Sequence, residues 1–198
     1  MRNILLVGWL LLPIGAYAYH EGPGQDRIAL EKTDALILAA HESAKAGSWD
    51  LAIAGYQEAL ASLPKNEESF DVKVSQRLQI ELNKARMKSK GLPEARDALE
   101  GLVEQMQGEE NTDPALMRDA RQALARAQFY KTWLMRLEGL DRTIWEPEVE
   151  AARQNWRLLA EMAPTKSEKD VHQKDLEAAV RLSRISVEDL QGLPLPSE

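Results

Sequence analysis

Residues 33–64 read TDALILAAHESAKAGSWDLAIAGYQEALASLP. Two apolar stripes of helical period lie on either side of a break. Leu36, Ala40 and Ser43 fall three and four residues apart, in line with Ala29 and Thr33, so they share one helix face. Ala46-Gly47 ends that helix, because glycine takes the left-handed cap conformation without a Cβ penalty. Ser48 is placed to cap the next helix, and Asp50 stands in its first turn, near the positive end of the helix dipole. Ala52, Tyr56, Ala59, Leu60 and Leu63 form the stripe of this second helix, and Pro64 stops it. The stretch is a helical hairpin.

The rest of the chain continues in the same manner. A helix is predicted from Phe70 to Ser89, with Val74, Leu78, Leu82 and Ala85 on one face and Gly91 after it. Pro93 opens the next, which carries Ala95, Leu99, Leu102 and Met106 and fades at Gly108. Asp113-Pro114 starts a long helix to Glu138, with Leu116, Ala120, Ala123, Leu124, Ala127, Tyr130 and Leu134 inward. Gly139 to Glu146 is expected as a loop holding Trp145. Pro147 then opens a helix that buries Ala152, Trp156 and Leu159 and ends at Pro164. Thr165 and Glu168 are spaced as a capping box for a last helix, with Val171, Leu176, Ala179, Val180 and Leu182 inward and Glu168, Lys169, Asp170, Lys174, Asp175 and Glu177 outward. That gives seven helices, three antiparallel pairs and one extra, and no strand pattern.

One spacing recurs. Ala52, Tyr56, Ala59 and Pro64 return as Ala152, Trp156, Leu159 and Pro164, each 100 residues on. Ala95, Leu99 and Leu102 keep the first three positions, with Gln107 where the proline belongs. Residues four and seven apart lie on one helix face; the alanine admits a close partner helix and the larger side chain fills the space one turn on. This pattern, with Ala40 on the first helix, resembles the tetratricopeptide (TPR) repeat. Offsets of 43 and 57 between Ala52, Ala95 and Ala152 depart from the family period of about 34, so the array is degenerate. An aromatic is also missing where Ser43 stands. The resemblance implies an all-α fold of antiparallel helix pairs stacked as a TPR-like solenoid over 26–191, about three pairs and a C-terminal capping helix, with an extended tail at 192–198. A generic Ala-rich helical bundle is the alternative.

Arg2 gives a short positive start, Ile4 to Leu12 is almost wholly apolar, and Pro13 and Gly15 break the run. Ala16-Tyr17-Ala18 has the small-x-small pattern that signal peptidase reads. The run extends over about 16 residues, against the ~20 of a spanning helix. We therefore expect a signal peptide at 1–18, cleaved after Ala18, and a linker at 19–25. An uncleaved N-terminal membrane anchor is the second reading and a buried N-terminal helix the third. The first two export the body of the chain to a periplasm or cell envelope, with membrane contact only through an uncleaved N-terminal segment.

Composition narrows the chemistry. Hydrophobic residues make up 44% and charged residues 29%, an ordinary globular balance. A formal net charge of −7 without a basic cluster argues against nucleic-acid binding. With no Cys, the chain has no disulfide, no thiolate metal site, no cysteine nucleophile and no lipoprotein anchor. His20, His41 and His172 have no second His one turn away, no Gly-rich phosphate loop precedes a helix, and no serine-nucleophile motif stands in context. We expect no catalysis, no metal and no cofactor.

The resemblance points instead to a non-catalytic scaffold or adaptor that binds a protein partner. In the family the first helix of each pair lines the concave groove, which maps onto Asp34, Ile37, His41 and Lys45. In the second pair Gln76, Gln79, Asn83 and Arg86 form a polar row, read as lying away from the apolar stripe. Either row is equally readable as wet helix surface. Trp133 and Trp145 are expected to pack together as a corner; an exposed binding hot spot is the alternative. Two other classes stay open, an accessory or regulatory subunit of an envelope enzyme and a glycan-acting envelope enzyme with two acids across a cleft.

Overall fold

A computed structural model describes residues 23–63, 71–192 and 195–196, with side chains from residue 31 onward except Gln191. The signal-peptide reading at 1–18, most of the linker and Pro64 lie outside the described residues. Seven α-helices and no strand occur among the described residues: α1 Pro23–Lys45, α2 Trp49–Ser62, α3 Val72–Lys88, α4 Leu92–Gly108, α5 Pro114–Leu137, α6 Arg142–Met162 and α7 Lys166–Arg184. A 3-10 turn, Glu188–Gly192, follows. Among the described residues, no helix is long and apolar enough to cross a membrane. The chain divides into two compact units, Met1–Ser75 and Gln76–Glu198.

In the first unit α1 packs on α2. The turn between them is set by Gly47, at φ +73°, with Ser48 N–H donating to Ser43 O at 2.9 Å and Gly47 N–H to Ala44 O at 3.0 Å. That pair of bonds is the Schellman arrangement, which satisfies the last carbonyls of α1. Ala40, Ala52, Tyr56 and Ala59 are buried, as their spacing requires. The two helices approach closely at Gly55: a Cβ built there would stand 2.9 Å from the Ala40 Cβ and 3.3 Å from its Cα. Thr33, also buried, ties the far end of the pair, its hydroxyl 3.0 Å from that of Ser62. The Ser62 hydroxyl also lies 2.9 Å from Ala59 O, to which it can donate. The residues at 23–25, expected in a linker, belong to α1.

In the second unit α4 packs on α5, α5 on α6 and α6 on α7, each pair joined by a short turn. Ala95, Leu99, Leu102, Ala152, Trp156 and Leu159, the recurring positions, are all buried. Asp113 caps α5, its Oδ1 accepting from Ala115 N–H at 2.8 Å and Leu116 N–H at 3.3 Å. Thr165 caps α7 by accepting from Glu168 N–H at 3.2 Å. Pro164 lies in the turn after α6.

Four expectations change here. All residues from 123 to 129 are buried, including Arg126 and Gln128, so the middle of α5 has neighbours all round rather than one inward face. Its tip turns accordingly: Thr132 and Arg136 are buried while Leu134 is exposed. The helix α6 starts at Arg142, not Pro147. Gly139, at φ +73°, closes α5, and Ile144 N–H bonds to Asp141 O at 2.9 Å to tighten the first turn of α6. Pro147 then costs one helical bond just inside the end, and Trp145 is a buried helical residue rather than a loop residue. Finally, the inward face of α7 is turned from the expected one. His172, Asp175, Ala178, Ala179 and Leu182 are buried, while Val171, Leu176 and Val180 are half-buried, so Asp175 is not on the outer side. Ahead of the tail expected at 192–198, the 3-10 turn is docked: Leu190 is buried and its carbonyl accepts from Trp133 Nε1–H at 3.3 Å.

Candidate functional site

The α1 row lies in the first unit. Asp34 and Lys45 are exposed, and Ile37 and His41 are half-buried. Lys45 Nζ donates to Glu42 Oε1 at 2.8 Å, one turn back. His41 is less free than the sequence implied. Its Nδ1 lies 2.9 Å from Tyr56 Oη, and the two rings meet edge-on at 5.5 Å. The imidazole is thus part of the hairpin seam, and only its outer edge faces away. Leu38, which the polar reading of the row passed over, is 64% exposed. It stands four residues after Asp34, three before His41 and seven before Lys45, on the same face. The resulting strip, acid, leucine, imidazole edge and amine, joins an apolar anchor to charges of both signs.

The α3 row is different, and the expectation of an open polar face is corrected. Gln76 is 2% and Asn83 3% exposed; Gln79 and Arg86 are half-buried. They share the interior with Leu78, Ile80, Leu82 and Ala85, because α3 has neighbours on more than one side. Their polar atoms are used internally. Gln76 Nε2–H donates to Glu109 Oε2 at 2.8 Å, Asn83 Nδ2–H to Gln79 O at 2.8 Å, and Arg86 Nη1–H to Asn83 Oδ1 at 3.1 Å. Helical spacing cannot separate a wet amide from a buried, bonded one, because both interrupt the apolar stripe in the same way.

Three buried polar groups escaped the sequence reading. Glu148, on α6, accepts from Arg96 Nε–H of α4 at 2.6 Å and lies 3.7 Å from Lys131 Nζ of α5, so one carboxylate joins three helices. Arg96 also bonds Glu100. Burial weakens the Arg96 guanidinium as a base, but Glu148 and Glu100 outweigh it and raise its pKa. Asn155 donates to Gln128 Oε1 at 3.0 Å and accepts from Arg121 Nη1–H at 3.1 Å; burial lowers the Arg121 pKa. Arg136 reaches across to the end of α7, donating to Leu182 O and, at 2.6 Å, to Ile185 O, while its guanidinium lies 4.8 Å over the Trp145 ring. Trp133 and Trp145 both join this core, which excludes the hot-spot alternative for Trp145.

His172 and Asp175, the latter expected on the outward side, are both buried. The imidazole stacks on Trp156, centroids 5.9 Å apart and planes 27° from parallel. Burial lowers its pKa, against the opposing pull of Asp175 and Glu168. No group of three or more His, Asp or Glu residues that could hold a metal ion occurs among the described residues. The chain matches no protein-family model, no curated protein and no solved structure.

Proposed function

We propose that the chain is a non-catalytic protein-interaction scaffold or adaptor built from TPR-like helical hairpins, exported to a cell envelope by residues 1–18. The partner segment lies along the α1 row. The observation that carries this reading is the open strip Asp34–Leu38–His41–Lys45, with a 64% exposed leucine between charged neighbours on a helix whose other face is closed by α2. Burying such an anchor is worth about 1.5–3 kcal/mol, enough for one contact among several in a peptide interface.

The stacked arrangement within the second unit has its own support. Bonds join each helix to the next but one: Lys84 of α3 to Asp119 of α5 at 2.7 Å, Arg96 of α4 to Glu148 of α6, and Arg136 of α5 to the last carbonyls of α7. Side-chain bonds between alternate helices fit a stacking of successive pairs.

The reading is tested by placing a photo-crosslinking residue at 34, 38 or 45, and as controls at the exposed Gln57 and Ala61 of α2, in the chain expressed with its own N-terminus. A discrete protein adduct from the α1 positions and not from the controls is expected. Equal yields, or none from any position, would sink the proposal. N-terminal sequencing of the same preparation addresses export: a mature chain beginning at Tyr19 is expected, and one beginning at Met1 contradicts cleavage.

A further inference from the structure

Resting on the interaction-scaffold reading, a second surface can be assigned, within the second unit and at the tip where α5 turns into α6. Four large aliphatic side chains stand open there: Leu134, Leu137, Leu140 and Ile144, each between 38% and 52% exposed. They fall within a stretch of eleven residues. Isolated exposed leucines are ordinary, but a cluster on one hairpin tip is the kind of patch that a partner covers.

The backbone holds the cluster firmly. Gly139 takes the left-handed cap, Leu140 N–H bonds to Met135 O at 3.0 Å, and Ile144 N–H bonds to Asp141 O at 2.9 Å. Underneath, Trp145 is buried and Arg136 is bonded to the end of α7, so the apolar side chains project from a fixed base.

The charges around the tip identify the occupant. Arg136 is buried and committed to carbonyls, so it presents no charge outward. Arg142 is taken by Glu146, its Nε 3.0 Å and its Nη2 2.5 Å from Oε1. Glu138 and Asp141, both exposed, lie inside the run of aliphatic positions. The tip is therefore apolar with an acidic rim, on a chain of net charge −7. An anionic lipid surface would be repelled, and an acidic peptide likewise. We propose that the α5–α6 tip docks a basic amphipathic helix of a partner protein, its apolar face on Leu134, Leu137, Leu140 and Ile144 and its Lys or Arg side chains against Glu138 and Asp141.

The test uses a fluorescent helical peptide of Leu and Lys in amphipathic order as the probe, a peptide of the same length and pattern with Glu in place of Lys as control, and vesicles containing phosphatidylglycerol as a third arm. The full chain should bind the basic peptide and neither of the others. Leu137→Gln with Ile144→Gln should weaken binding at least tenfold while far-UV circular dichroism stays unchanged, since both positions are exposed. Glu138→Lys with Asp141→Lys, which leaves the aliphatic residues intact, should weaken it similarly and flatten its salt dependence. Binding that survives both double variants but is lost on Leu38→Gln removes the tip assignment and leaves the scaffold reading in place. No binding of the basic peptide, or tip-dependent binding to the vesicles, overturns the proposal.

Discussion

Tyr56 and His41 hold the first hairpin together by a hydrogen bond of 2.9 Å between Oη and Nδ1, with their rings edge-on. The residue at the equivalent position 100 further on, Trp156, also meets a histidine, but on the helix that follows rather than the one before. The recurring aromatic therefore does more than fill space: in both hairpins it fixes an imidazole. Tyr56→Phe keeps the ring and removes the hydroxyl, leaving the half-buried Nδ1 without this partner. A loss of about 1 kcal/mol in urea unfolding is expected. Tyr56→Ala also opens a cavity at a fully buried position and should cost about 3–5 kcal/mol.

Gly55 faces Ala40 at a separation that leaves no room for a methyl group, 2.9 Å from Cβ to Cβ. Two effects compete in Gly55→Ala. Helix propensity favours alanine by about 1 kcal/mol. Overpacking costs about 1–3 kcal/mol, and neither Ala40 atom can swing aside, so the helices must part. A net loss of stability is expected, contrary to the propensity rule. Adding Ala40→Gly should recover part of it, which separates a steric cause from any other. A stabilised single variant would show that the two helices are not seated as closely as described.

Much of the fold was legible because helical period is a strong signal. Ala52, Tyr56, Ala59, Ala95, Leu99, Leu102, Ala152, Trp156 and Leu159 are buried as their spacing implied, and Gly47 and Asp113 cap as their chemistry implied. The misses have a common cause. Gln76 and Asn83 are polar but buried on α3, which is buried on more than one face, and Glu148, Asn155, His172 and Asp175 are polar residues inside the buried stripes of α6 and α7. A single amphipathic stripe cannot register a second buried face, and polar residues there look like surface. Leu38 was passed over because nothing marks it out among the apolar residues of ALILAA. Pro147 misled because proline usually marks a first turn, whereas here the Asp141 turn precedes it.

Glu148 is the second unit's most consequential charge. Replacing it by Gln keeps the shape but removes the charge that balances Arg96 and Lys131. Both cations have routes to water, so the full penalty for breaking a buried pair does not apply; about 2–3 kcal/mol is expected from urea unfolding. Glu150→Gln, which removes a carboxylate paired within its own helix at 2.5 Å, should cost under about 0.5 kcal/mol. Similar losses in the two variants would mean that Glu148 does not join the three helices in solution.

His172 makes stability depend on pH in a direction that follows from its burial. Its pKa is lower in the folded chain than in the unfolded one, where about 6.5 is expected. Between those two values the unfolded chain binds more protons, so stability rises with pH across that window. The contribution is fully present above about 6.5 and is lost as pH falls through the folded value. Among the described residues, its Nδ1 and the Trp156 Nε1, both buried, have no hydrogen-bond partner, so a proton on the ring finds no acceptor at that nitrogen. Asp175 and Glu168 oppose this by favouring the charged ring. Urea midpoints measured from pH 7.5 to 5 should fall for the parent chain, and the fall should be shallower for His172→Gln. Tryptophan fluorescence offers an independent reading, because a protonated imidazole quenches an indole stacked against it. If the two chains keep parallel stability curves, and the parent shows no histidine-dependent quenching, His172 is not the buried neutral ring described.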